Sequence, residues 1–224
     1  MIGLLIFDFD GTLGDTRANI VLTMTQTLAK MGYPVAGENE IARTIGLPLE
    51  EGFRQLVPGL SDEDTLVCAR TYRDIFEINR KQLVPRLFPQ VKETLEALFK
   101  KGFLMTVASS RQSSSLNGFL KDMGIARHIS YVVGADNVIN AKPHPEPVFK
   151  TLEALGVPPE EALVVGDMPV DILMGKRAGT MTCGVTYGNS SREELEEAGA
   201  DYIIGDIPSL LQLFQSDNQT INNK

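Results

Sequence analysis

The segment Asp8-Phe9-Asp10-Gly11-Thr12-Leu13 sets two carboxylates two residues apart, directly after the apolar run Ile2–Phe7. Alternate residues of a strand point the same way, so Asp8 and Asp10 can face one site. Two acids at the end of an apolar segment are costly unless something neutralises them. Gly11 then permits a tight turn. Further along, Val107-Ala108 gives way to Ser109-Ser110-Arg111, a hydroxyl where a strand stops and a helix begins. Helix N-termini bind anions through free backbone N–H groups. Taken alone, Ser109 or Ser110 reads as a helix cap and Arg111 as a surface residue. Lys142 stands beside Pro143, Pro145 and Pro147, which stiffen the approach to the next helix. A lysine fixed there, near two carboxylates, suits a phosphate partner and charge balancer. Val164-Val165-Gly166-Asp167 leads into Pro169-Val170-Asp171, with Asp171 one helical turn after Asp167. Pro169 suits the first turn of that helix, and Asp167 alone reads equally as its cap.

The combination says more than any member. Asp8, Asp10 and Asp167 offer only oxygen ligands, the donor set of a hard cation such as Mg²⁺. Ser109 and Lys142 supply donors for phosphate oxygens. Acids, a hydroxyl, an ammonium and a hard cation together suit phosphoryl transfer, which depends on positioning and charge neutralisation.

These residues must be delivered by strands. Ile2–Phe7, Phe103–Ala108, Ala162–Gly166 and Thr182–Tyr187 are short apolar runs, with Tyr131–Gly134 and Tyr202–Gly205 as weaker companions. Several are nearly continuous rather than alternating, the pattern of parallel strands covered on both faces. Helical stretches separate them. Val91–Lys101 places Val91, Leu95, Leu98 and Phe99 on one face. Leu116–Met123, Pro147–Leu155 and Pro169–Ala178 each end at a glycine. The alternation predicts an α/β fold, a doubly wound, mostly parallel sheet. Ligand sites in such sheets lie at the carboxyl ends of the strands, where Asp8, Ser109 and Asp167 stand.

Residues 15–83 break the rhythm. The interval is helical in pattern, interrupted at Gly32-Tyr33-Pro34, Gly46-Leu47-Pro48 and Pro58-Gly59. It predicts a small helical cap inserted after the first strand, leaving 1–14 and 84–214 as the catalytic core. Residues 215–224 read as a polar tail that frays.

Composition narrows the function classes. With 21 Lys+Arg against 29 Asp+Glu, the net charge is −8. That balance argues against a nucleic-acid partner. No apolar stretch reaches about 18 residues, so no membrane-spanning helix is expected. Cys68 and Cys183 are far apart and form no CxxC, which points to reduced thiols in a cytoplasmic protein.

The whole pattern, Asp8-x-Asp10-Gly11-Thr12, Ser109, Lys142 and Gly166-Asp167-x-x-x-Asp171, resembles the haloacid dehalogenase superfamily of phosphatases with an inserted helical cap. The resemblance spans Met1 to about Phe214 and is greatest to the phosphoglycolate phosphatase branch. It implies that Asp8 is the nucleophile, giving an aspartyl-phosphate, and Asp10 the general acid and then base. It implies Mg²⁺ held by Asp8, the backbone carbonyl of Asp10 and Asp167, with Asp171 supporting that shell or orienting Lys142. Ser109 would bind a phosphoryl oxygen, and Gly11, Thr12, Ser110 and Arg111 would line the phosphate or substrate. The substrate implied is a small phosphorylated metabolite. Where that branch often carries Thr-Asn-Lys, this chain has Ser109-Ser110-Arg111. Thr44–Glu50 resembles the specificity loop of these enzymes and also that of relatives that cleave pyrophosphate. A sugar phosphomutase is a further alternative; such relatives usually carry a bulky apolar residue where this chain has Thr12. A receiver-type phosphoacceptor domain would be shorter and lack the insertion.

Overall fold

The computed structural model describes residues 2–214; the expected polar tail, 215–224, lies outside them. In chain order the elements are β1 (Leu4–Phe7), β2 (Gly14–Asp15), α1 (Arg17–Lys30), α2 (Glu38–Ala42), α3 (Leu49–Leu56), α4 (Asp62–Gln82) and β3 (Arg86–Leu87). There follow α5 (Val91–Lys100), β4 (Leu104–Ala108), α6 (Ser113–Asp122), β5 (Tyr131–Val133), α7 (Glu146–Leu155), β6 (Ala162–Gly166), α8 (Pro169–Ala178), β7 (Met181–Val185), α9 (Arg192–Glu197), β8 (Tyr202–Ile204) and α10 (Leu210–Leu213).

Six strands form one sheet in the order β5-β4-β1-β6-β7-β8, every neighbouring pair parallel. The sequence of β1 explains its central place. Leu4 and Ile6 join one apolar cluster, while Leu5 and Phe7 join the other, on the opposite face. All four are fully buried, each contributing about 1.5–3 kcal/mol of apolar burial. Helices cover both faces. Val148 and Leu152 of α7 and Met174 of α8 pack on the Leu4 face. Val91, Leu95 and Leu98 of α5, with Leu116 and Leu120 of α6, pack on the Phe7 face. The expected doubly wound α/β fold is what the chain forms. Phe99 departs from its expected place on the buried face of α5: it is 53% exposed, one residue past the stripe that Val91, Leu95 and Leu98 define.

The insertion between β1 and β4 is helical, α1 to α4, with α1 packed on α4. The sequence breaks fall between its helices: residues 32–34 separate α1 from α2, 46–48 separate α2 from α3, and 58–59 separate α3 from α4. Ser61 caps the long α4, its hydroxyl accepting from the Asp64 N–H at 3.0 Å. Where the chain leaves and rejoins the sheet, β2 and β3 form a two-residue antiparallel ribbon, pairing Gly14 with Leu87 and Asp15 with Arg86. Pairs this short leave no apolar run to read in the sequence.

Candidate active site

The tips of β1, β4 and β6 meet at one edge of the sheet. Asp8 follows β1, Ser109 follows β4 and Asp167 follows β6. Lys142, on the loop before α7, reaches into the same place. Its Nζ donates to Asp8 Oδ1 at 2.6 Å and to Asp171 Oδ1 at 2.7 Å. Asp8, Lys142, Asp167 and Asp171 are all buried. Asp8, Asp167 and Asp171 each offer a carboxylate oxygen, and these lie within 4.8 Å of one another.

Three acids sharing one ammonium leave two negative charges uncompensated when all are ionised. The electrostatics follow. Burial pushes Asp8 well above the usual carboxylate range; Lys142 pulls it down, while Asp171 and Asp167 push it further up. Burial first, then Asp171, raises Asp167 to about 7, although Asn189 and Thr12 donate to it. Burial alone would pull Lys142 down, but Asp171 and Asp8 more than reverse this and hold it as the ammonium. Asp8 Oδ2 is buried, with no hydrogen-bond partner among the described residues. A buried, unpartnered carboxylate oxygen among oxygen-only ligands fits a hard cation and a phosphoryl group.

Local sequence builds this geometry closely. A Cβ on Gly166 would lie 2.3 Å from the Asp171 Cβ, so the glycine lets α8 press against β6. Asp171 also accepts from the Met168 N–H at 3.1 Å, closing the start of α8. Gly11 has φ +94°, and a Cβ there would lie 2.1 Å from Asp167 Oδ2. Thr12, expected near phosphate, donates its hydroxyl to Asp167 Oδ1 at 3.2 Å. Asn189, which the sequence reading missed, donates to Asp167 Oδ2 from both its backbone N–H and its side chain at 2.8 Å. Its signal was position: it follows β7 by four residues, at the same edge of the sheet. The expected strand Thr182–Tyr187 ends at Val185, and the freed residues carry Asn189 inward.

Asp10 takes a separate position. Its carboxylate stands outside the acid cluster and receives Arg111, with Nε at 2.7 Å from Oδ2 and Nη2 at 2.7 Å from Oδ1. Thr16, also missed from sequence, donates to Asp10 Oδ1 at 2.6 Å. The guanidinium lies 4.7 Å from the Phe76 ring centre and 5.0 Å from that of Phe119. Arg111 is therefore engaged with an acid and two rings. Ser110 donates to the Gly46 carbonyl in the insertion at 2.6 Å. Ser109 is buried, its hydroxyl accepting from the Arg111 N–H at 3.3 Å. His128 is buried against Glu96, and His144 accepts from the Glu146 N–H at 3.2 Å.

A cavity of about 390 Å³ opens between the insertion and the sheet edge, with Asp10, Ser110 and Arg111 at its core side and Thr44–Glu50 on the opposite wall. Of the insertion's arginines, Arg73 lines this cavity and pairs with Glu50 at 2.9 Å. Arg54 pairs with Asp62 instead, and Arg43 is exposed outside the lining. No helix among the described residues is long and apolar enough to cross a membrane.

The chain is similar to known proteins over nearly its whole length. A probable phosphatase, IndB, of Dickeya dadantii strain 3937 is 35% identical over 206 residues, 90% of this chain and 88% of that one. A phosphoglycolate phosphatase of Pectobacterium atrosepticum is 32% identical, covering 93% of this chain and 91% of its own. The pyrophosphatase PpaX of Anoxybacillus flavithermus is 33% identical, with 95% and 96% covered. Among solved structures, a haloacid dehalogenase-like family hydrolase from Streptococcus pneumoniae superposes with a TM-score of 0.84 at 25% identity, covering 95% and 98%. The family model described as haloacid dehalogenase-like hydrolase matches residues 5–185. With β1, β4 and β6 delivering the acids and hydroxyl to one edge, this chain belongs to the haloacid dehalogenase-like hydrolases and is a phosphatase of that family.

Proposed function

We propose that the chain is a Mg²⁺-dependent phosphatase that hydrolyses a small phosphorylated metabolite through a phosphorylated Asp8. The observation that carries this reading is the buried, unpartnered Asp8 Oδ2 beside a lysine that holds the other oxygen of the same carboxylate. An unencumbered oxygen on a fixed carboxylate suits in-line attack.

In this reading Asp8 attacks phosphorus as the bond to the leaving oxygen breaks, and Asp10 gives that oxygen a proton. Water then attacks the phosphorus of the aspartyl-phosphate, Asp10 takes its proton, and the Asp8–phosphorus linkage breaks to release phosphate. Lys142 offsets charge on Asp8 and the phosphoryl oxygens, and Ser109 binds one of those oxygens. Asp171 orients Lys142. Arg111 and Thr16 position Asp10, so Arg111 acts on the acid rather than on phosphate. Ser110 acts through the insertion loop, and Gly11 and Thr12 shape the Asp167 side. Asp8, Asp167 and the Asp10 carbonyl would hold Mg²⁺, which supplies charge neutralisation for the transferring group. Residues 15–83 form the cap and 1–14 with 84–214 the catalytic core, a division supported by the β2–β3 ribbon at the crossing points.

Asp8→Asn tests the reading. It should lower phosphate release at least about 10³-fold, the scale of losing a catalytic nucleophile, with the fold intact by circular dichroism. Release near the wild-type rate would overturn the mechanism. Pyrophosphate hydrolysis is the second reading, favoured by the PpaX relative; phosphate release from pyrophosphate, measured beside phosphoglycolate, separates the two.

A further inference from the structure

The cavity above Asp10 bears on what the phosphate is attached to. Its charged lining residues are Arg73, Arg80 and Arg111 with Glu50, Glu77 and Asp10. Every arginine already has an acid. Arg73 meets Glu50 at 2.9 Å, Arg80 meets Glu77 at 3.0 Å, and Arg111 meets Asp10 at 2.7 Å. Among the described residues, no lysine or histidine lines the cavity. A leaving group with its own negative charge would meet no free cation there. It would have to share an arginine with the acid already there and stand beside that carboxylate, a like-charge contact that disfavours it.

Size and surface point the same way. A volume of about 390 Å³ falls within the range of about 300–1,000 Å³ typical of clefts for drug-sized ligands. A two-carbon acid or a second phosphate would leave most of it unfilled. Ile20, Met24, Leu47 and Leu49 supply apolar wall, and Ser114 and Ser115 bring hydroxyls. This surface matches an uncharged molecule with an apolar body.

We propose that the physiological substrate is a phosphomonoester of a neutral, partly apolar alcohol, larger than glycolate and bearing no second anionic group. The proposal rests on the phosphatase reading above and deepens it. It separates this chain in substrate class from relatives named for phosphoglycolate or pyrophosphate.

The test compares kcat/KM of the full chain with Mg²⁺ on matched esters: hexyl phosphate, the same six-carbon chain ending in a carboxylate, ethyl phosphate, phosphoglycolate and pyrophosphate. Within each ester pair the leaving oxygens are similar alcohols, so charge and size are the variables. Hexyl phosphate should exceed its carboxylate-ended twin, and also ethyl phosphate, by about tenfold or more, on the scale of one charge-assisted hydrogen bond or a few buried methylenes. Glu50→Gln frees Arg73 and should narrow the hexyl-to-carboxylate ratio by about tenfold. If the carboxylate-ended ester, phosphoglycolate or pyrophosphate equals or beats hexyl phosphate, the proposal is overturned while the phosphatase reading stands. The same holds if Glu50→Gln leaves the ratio unchanged. Hydrolysis of none of the five would overturn both.

Discussion

Lys142 is shared by Asp8 and Asp171, and among the described residues Asp167 accepts only from neutral donors, Thr12 and Asn189. That arrangement makes Asp167 the group through which pH should control cation binding. Its value is raised to about 7, by burial first and Asp171 second, against about 3.9 in an unfolded chain. Between those values the native state holds a proton that the unfolded state has lost. The cation-free protein therefore loses stability from this group as pH rises through the window, and recovers it as pH falls. A cation reverses the balance, because it binds the ionised carboxylate and must displace the proton. The apparent dissociation constant for Mg²⁺ should weaken at least about tenfold between pH 8 and pH 6, the effect of one competing proton with a pKa near 7 on Asp167, to which the raised Asp8 carboxyl can only add. Thermal unfolding with and without Mg²⁺ reads this directly: the increment in Tm should be larger at pH 7.5 than at pH 5.5. An increment independent of pH would place the cation away from Asp167.

Secondary-structure elements bring these residues within bonding distance, and their fit depends on small residues at the strand ends. Gly166 closes β6 where α8 begins, and an added Cβ would meet the Asp171 Cβ at 2.3 Å and its Cγ at 2.5 Å. Asp171 cannot swing aside without releasing Lys142. Gly166→Ala should therefore cost about 1–3 kcal/mol, the range for overpacking a dense interior. Gly205, with nothing within 4 Å of its would-be Cβ, serves as control, and Gly205→Ala should stay within about 0.5 kcal/mol. Urea unfolding of the two variants checks both values, and equal midpoints would remove steric closeness as the reason for the glycine. The same elements show what a sequence reader can see. Asp8, Ser109 and Asp167 were legible because each ends an apolar run, and strand ends are where such sheets place their ligands. Lys142 was legible from its stiff proline setting. The partner of Arg111 was not, since Asp10 lies 101 positions away and only the packing of α6 against the sheet aims the guanidinium at it. Thr16 and Asn189 were hidden for a similar reason: their roles come from loop paths that no periodicity records.

At the scale of the molecule, the insertion and the sheet are coupled through aromatic rings. Phe9 meets Phe119 at 5.7 Å between ring centres, Phe119 meets Phe76 of α4 at 6.1 Å, and Phe76 stacks on Tyr72 at 5.9 Å. Arg111 lies over Phe76 while holding Asp10, so the position of α4 bears on the acid. Ser110 ties the Gly46 loop to the end of β4. Against these contacts the covalent crossing is slight: the two-residue ribbon β2–β3, with Asn19 donating to the Leu83 carbonyl at 2.9 Å. Leu83 and Val84 beside it are exposed. A narrow crossing and a cavity at the interface suit closure of the insertion over bound substrate, which excludes water and completes the site. Filling the cavity would add contacts on both walls and damp opening at the crossing, so protease access there should fall. The measurement uses Asp8→Asn, which holds substrate without turning it over, with Mg²⁺ and hexyl phosphate present or absent. Cleavage within 15–17 and 83–86 should slow several-fold on ligand addition, on the scale of a ligand near its dissociation constant protecting one closed state, while cleavage elsewhere keeps its rate. Equal rates at these two segments, with binding verified by calorimetry, would mean that the insertion is rigidly seated and that substrate enters without any closing motion.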